Sequence, residues 1–218
     1  MVLEILSKPR SFFDEQVENP SLLIPTVIVL LAALVAAAGT APRVEVSGQL
    51  ITNGVQSQGQ QMNQSTADAI GTFSSVFGIV FGFLGVMIVW VVYSVVFYAI
   101  ARFAFGGDGS LGDTFAFTGW GYIPLLISQV ISAIAAYYVY AGATLPDNNQ
   151  AAQAAFQELQ NDPALFIASI VGIVLLAWSG WIWTAGMEKL HGLSRRNAII
   201  TVGIPVGIAL ILNILSVV

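Results

Sequence analysis

Side chains able to do chemistry are few, and they gather in short stretches between long apolar runs. The chain has no cysteine and one histidine, His191, which excludes disulfides, thiolate ligands, cysteine nucleophiles and multi-histidine metal sites. The stretch Gly106-Gly107-Asp108-Gly109-Ser110-Leu111-Gly112-Asp113 has the glycine content of a phosphate loop. It lacks the following lysine and the strand-to-helix setting, and its two carboxylates would repel phosphate. A tight turn with Asp113 capping the next segment fits better. In the stretch 187–197, His191 has no second histidine or carboxylate pair beside it and reads as an ordinary loop residue. Gly192 ends one helix there and Ser194 caps the next. Arg195 and Arg196 can reach lipid phosphates, each worth about 1 kcal/mol near an anionic surface. Lys8, Arg10, Arg102 and Lys189 also flank apolar runs. A short helix from Pro9 would gather Phe12, Phe13 and Val17 on one side and leave Asp14, Glu15 and Glu18 elsewhere. Lys8, Arg10, Phe12, Phe13, Arg102, Lys189, Arg195 and Arg196 are therefore the candidate lipid or partner contacts. Surface anchoring is the economical role for them. No catalytic, cofactor or metal residue is assigned, and a non-enzyme is expected.

The elements that carry these residues must lie in a membrane. Of 218 residues, 56% are hydrophobic and 9% charged, against about a quarter charged in soluble domains. A nucleic-acid module, a secreted disulfide scaffold and an ordinary cytosolic enzyme are excluded. Uncharged runs at 22–38, 70–101, 122–140, 164–187 and 198–218 predict five transmembrane helices. The expected fold is all-α: a polytopic five-helix bundle forming one membrane domain over 1–218. The second run would stretch about 48 Å against an apolar bilayer core of about 30 Å, so one long or tilted helix is expected there. Six of the seven basic residues fall on one side of this topology, leaving only Arg43 opposite. The positive-inside rule then puts the amino terminus in the cytoplasm and the carboxyl terminus outside a multi-pass cell-membrane protein. Ala36, Ala37 and Ala38 resemble a signal cleavage site, but acids precede the apolar run and it is too long. An uncleaved span is expected.

The polar loops divide likewise. The outer loop 40–69 holds Gln56, Gln58, Gln60 and Gln61 and the sequon Asn63-Gln64-Ser65. Asn63 is either a glycan acceptor or a chance triplet. In the second outer loop, 144–163, Asp147 is expected to cap a short surface helix. The net charge of -5 with two lysines would suit a high-salt cytoplasm.

The span centres carry no ionisable side chain, which argues against proton transport through a buried carboxylate. Gln129 and Asn213 are their most polar groups, suited to bonding between helices or, alternatively, to a substrate patch. Gly78 and Gly82, and Gly203 and Gly207, give G-x-x-x-G spacings for close helix packing or a homo-oligomer contact. Pro25 and Pro124 lie near helix starts, and Pro205 is placed to kink its helix. Tyr137, Tyr138, Tyr140, Trp178, Trp181 and Trp183 fall near span ends, where amphipathic rings favour the interface.

Taken in order, Pro9-Arg10-Ser11-Phe12-Phe13 with Asn19-Pro20 and Pro25, then Gly109-Ser110-Leu111-Gly112-Asp113-Thr114, Gly121-Tyr122-Ile123-Pro124, Trp183, His191-Gly192-Leu193-Ser194, Asn197-Ala198 and Pro205 resemble the Yip1 family. The resemblance covers most of the chain and implies a five-span helical bundle with a cytoplasmic amino terminus. With the acidic, lysine-poor composition it suggests a prokaryotic, haloarchaeal member. Eukaryotic members are associated with Rab-type GTPases and vesicle traffic and carry a longer amino-terminal region. The family motif defines no catalytic residue. The expected function is that of a non-enzymatic organiser of lipids or of partner proteins at the cytoplasmic face, with no nucleic acid and no cofactor. A transporter or channel for a small neutral solute or lipid is the alternative.

Overall fold

The computed structural model describes residues 2–18, 20–57 and 63–217. Asn19, Gln58, Gln60 and Gln61 of the stretches above lie outside them. All regular structure among the described residues is helical: a 3-10 turn Val2–Leu6, then α1 Pro9–Gln16, α2 Leu23–Ser57, α3 Gln64–Ala99, α4 Leu111–Trp120, α5 Tyr122–Tyr140, α6 Asn149–Gln160, α7 Pro163–Leu190 and α8 Arg195–Val217. A π-helical stretch Ile100–Ala104 continues α3. The helices α2, α3, α5, α7 and α8 are long and apolar enough to cross a membrane. On α3 the side chains Phe73, Phe77, Phe81, Leu84, Ile88, Val92 and Val95 are exposed at helical spacing, as a lipid-facing stripe requires. From the first to the last the stripe measures about 33 Å, one bilayer core.

The chain divides into two compact units, the first made of 1–32, 86–128 and 171–218 and the second of 33–85 and 129–170. The core of the first unit is aromatic. Trp183, Phe97, Phe13 and Phe117 are fully buried, and Trp183 packs on Tyr93 and Phe97 at centroid distances of 4.9 and 5.4 Å. Trp183 was expected at the membrane interface and is instead central. Trp181, Tyr137 and Tyr138 are the exposed ones, at 48%, 47% and 77%, whereas Tyr140 is buried.

In the second unit, α2 and α3 meet through small residues. A side chain at Gly78 would overlap Val44, and one at Gly82 would lie 3.1 Å from Ala37 Cα and Thr40 Cγ2. The Thr40 hydroxyl bridges the carbonyls of Ala37 and Gly78 at 2.7 and 3.2 Å. Gly78 and Gly82 thus pack as their spacing predicts. Gly203 and Gly207 do not: beyond their own helix backbone, no atom of the described residues lies within 4 Å of the position a Cβ would take at either, so neither makes a close contact with another helix among the described residues. Asn213 also departs from expectation, since its amide donates to Ala209 O of its own helix at 2.8 Å and the residue is exposed. Gln129 is half-buried.

Much of the stretch read as a polar outer loop is helical. α2 continues through Pro42, Arg43 and Glu45 to Ser57, about 50 Å in all. Tertiary packing sustains it: Val46 is buried in a cluster with Val139 and Tyr140. Gln49 receives Leu145 N at 2.8 Å and donates to Ala143 O at 3.2 Å. Asn63 is exposed, and its side-chain oxygen accepts from Thr66 N at 2.9 Å, capping α3. The cap of α6 is Asn148, which accepts from Gln150 N and Ala151 N, one residue beyond the expected Asp147.

Candidate functional site

The chemistry-bearing residues flagged in the sequence fall mostly in the first unit, where the α1 region, α4, the ends of α3 and α7 and the start of α8 belong. α1 begins with Pro9 at its first position, where the missing N–H costs nothing. Its Phe12 and Phe13 were expected on the lipid surface. They are 5% and 0% exposed, Phe12 edge-on to Trp120 and Phe13 stacked on Phe117, each at 4.9 Å. Burial among α4 and α7 side chains outcompetes lipid contact because aromatic rings gain close dispersion and edge-to-face geometry there. Val17 stays 37% exposed. Arg10 donates to Glu188 at 2.7 Å, and Lys189 pairs with Asp14. α1 is therefore bolted to the end of α7 by two crossed ion pairs above an aromatic floor. Trp178 adds a bond from its indole N–H to Leu6 O at 3.2 Å.

The glycine-rich turn is a clamp on His191. His191 lies in the loop after α7, as read, but is 1% exposed. A Cβ on Gly107 would lie 2.8 Å from His191 Cβ, and one on Gly109 would lie 2.9 Å from ring atoms, so only glycine lets this backbone lie against the imidazole. Asp108 N donates to His191 O at 3.3 Å. Arg102 donates to Gly107 O at 2.8 Å and stands 3.8 Å from Asp108. Ser110, not Asp113, caps α4: its hydroxyl accepts from Asp113 N at 3.1 Å and donates to Asp113 Oδ2.

A ladder of hydroxyls runs along α4 from this clamp. Thr114 donates to Ser110 O and Thr118 to Thr114 O, both at 2.7 Å, and Trp183 Nε1 donates to Thr118 O at 2.7 Å. Thr114 Oγ1 is 3.0 Å from His191 Nε2. Since the one hydroxyl proton of Thr114 goes to Ser110 O, the imidazole must donate from Nε2, and the neutral ring carries its lone pair on Nδ1. That buried Nδ1 has no partner among the described residues. Burial pushes the imidazole pKa below its ordinary 6.5, and Arg102 pushes the same way against Asp108 and Asp113. His191 thus acts as a neutral structural pin. The sequence signal was available in the glycines: a turn so rich in them marks a close approach.

An open cleft in this unit has a volume of about 420 Å3. Lys8, Arg10 and Arg195 line it, joined by Ser11 and Trp181 and by residues to which sequence reasoning gave no site role: Ser7, Thr184 and Glu188. Arg196 is exposed beside it. The second unit has a wider cleft of about 770 Å3 between α2 and α3, lined by Glu45, Gln49, Thr52, Thr72 and Ser75 among others. Neither Gln129 nor Asn213 lines either cleft.

The chain matches a known family over nearly its whole length: the Yip1 domain model aligns with residues 3–216. The chain belongs to the Yip1 domain family. It is a multi-pass membrane protein. An uncharacterized protein of the archaeon Methanocaldococcus jannaschii is 26% identical over 139 residues, which is 63% of this chain and 89% of that protein. No solved structure gives a significant match. Placed on the Yip1 domain, the residues that carried the resemblance have structural work: Pro25 fills the space beside Gly119, where a Cβ would come within 2.7 Å of it. Gly121 admits the Trp183 indole, and Ser194 caps α8 by accepting from Asn197 N at 3.3 Å.

Proposed function

We propose that this Yip1 protein is a non-enzymatic membrane scaffold. Its first unit presents a fixed polar end, on the cytoplasmic side, to lipids and partner proteins. The observation that carries the proposal is the anchoring of α1. Two ion pairs and two buried rings hold it on α7 and α4, so the surface it offers is preformed and little ordering entropy opposes binding. The cytoplasmic assignment is supported by the membership of six of the seven basic residues in this unit, with only Arg43 in the other. The deciding experiment is photocrosslinking in native membranes from exposed α1 positions such as Glu15, with Ala154 on α6 as the comparison. Specific protein or lipid adducts from α1 are expected. Adducts no different from those at Ala154 would defeat the proposal.

Transport of a small neutral solute is the second reading, favoured by the cleft of the second unit with Gln49, Thr52, Thr72 and Ser75 in its lining. Liposomes containing the purified chain would then pass such a solute, and a sealed vesicle would remove it.

A further inference from the structure

We propose that the cleft formed by the first turn of α1, the end of α7 and the start of α8 holds the phosphodiester headgroup of one anionic membrane lipid. The chain as a whole is acidic, at -5, yet this cleft gathers Lys8, Arg10 and Arg195 against the single carboxylate Glu188. Glu188 is already matched by Arg10 at 2.7 Å, and that bond uses one of the five guanidinium donors. Among the described residues neither Lys8 nor Arg195 makes an ion pair within 4.0 Å. The cleft therefore keeps an excess of positive charge in a protein that elsewhere repels anions.

Its other features suit a phosphate rather than a carboxylate-bearing protein. Lys8, the residue before α1, makes no capping bond, so the N–H groups of Arg10 and Ser11 lack a carbonyl one turn earlier. An anion there also meets the positive end of the helix dipole. Trp181 and Ile199, the latter one turn after Arg195 on α8, also line the cleft while remaining 48% and 50% exposed. A tryptophan at such a boundary favours the headgroup level, and an exposed isoleucine favours acyl chain. A volume of about 420 Å3 suits a small headgroup whose chains leave along those two residues. Free phosphate would use the cations alone and gain nothing from the apolar wall.

The proposal rests on the scaffold reading in taking lipid as a partner, and its test separates the two. The purified full chain is placed in nanodiscs of phosphatidylcholine doped with phosphatidylglycerol, and retained lipid is read by native mass spectrometry. One phosphatidylglycerol per chain is expected to survive. Lys8→Gln combined with Arg195→Gln lowers its retention about twentyfold, whereas Arg196→Gln, outside the cleft, lowers it about fivefold at most. Equal retention of the two lipids, or undiminished retention in the double variant, overturns the site. A second measurement needs no variant. Dihexanoyl phosphatidylglycerol is expected to raise the melting temperature of the detergent-solubilised native chain, and inorganic phosphate at equal concentration is not. Equal shifts would overturn the lipid assignment, and no shift from either would overturn the cleft as a site. Lipid selectivity without crosslinked partners would leave this site standing while the scaffold reading narrows to lipid; partners without lipid selectivity would do the reverse.

Discussion

His191 ties the glycine turn, α4 and the end of α7 together through one ring, so its protonation state bears on stability. In the folded chain its pKa lies below the ordinary 6.5 because burial and Arg102 disfavour the cation more than Asp108 and Asp113 favour it. The unfolded chain then binds more protons between the two values, so stability is full above about pH 6.5 and falls as pH drops below it. The melting temperature in detergent is expected to decline over that interval, and His191→Gln to flatten the decline. A wild-type curve with no slope there would contradict the neutral pin. Gly121 shows the same dependence on close approach. A Cβ at that position would overlap the Trp183 indole, which is fully buried and bonded to Thr118 O at 2.7 Å and so has nowhere to go. Gly121→Ala should cost about 1–3 kcal/mol from overpacking. Gly203→Ala, with open space around it, should be neutral or gain up to about 1 kcal/mol. Comparing the two melting temperatures checks both.

At the scale of the element, α1 is the piece whose role changes most between sequence and structure. Its amphipathic pattern is legible, with Phe12 and Phe13 together and the acids apart, but a pattern names the buried face and not what buries it. Lipid and protein both satisfy an apolar ring; only the positions of Phe117 and Trp120 decide. Two contributions hold α1 down, and their sizes differ. The ion pair of Arg10 with Glu188 is 47% and 21% exposed, which limits it to about 1 kcal/mol or less. Phe13 is fully buried, and its truncation typically costs about 3–5 kcal/mol. Hydrogen exchange should therefore show α1 largely released in Phe13→Ala and nearly unchanged in Arg10→Gln. The reverse ranking would mean that charge, not packing, anchors the helix. α2 makes the complementary point. Its second half carries polar residues and Pro42, which by propensity end a helix, yet Val46 and Gln49 find partners there, and packing prevails over propensity.

For the molecule as a whole, the absence of native cysteine makes topology directly measurable. With the amino terminus inside, Ser7→Cys should react with an impermeant maleimide only after the membrane is opened, while Ala154→Cys on α6 should react in intact cells. Labelling of Ser7→Cys from outside would invert the topology and remove the scaffold from the cytoplasmic face. Five membrane helices and the family were legible because both rest on one-dimensional properties. Apolar runs near bilayer length need no partner to be recognised, and basic residues sort by loop whatever the packing. Short-range rules also held where the chain acts on itself: Gly192 takes a positive φ of 62° and Ser194 caps α8, as read. What only the tertiary structure decided is which of the few polar side chains are already spent. Lys189 and His191 look as available in sequence as Lys8 and Arg195, but they meet partners far along the chain, Asp14 and Thr114, while Arg102 bonds to Gly107 O of the turn that follows it. Such pairings depend on distances between elements, which no local spacing encodes, and they set the cleft of Lys8, Arg10 and Arg195 apart where the sequence offered a scatter of equal candidates.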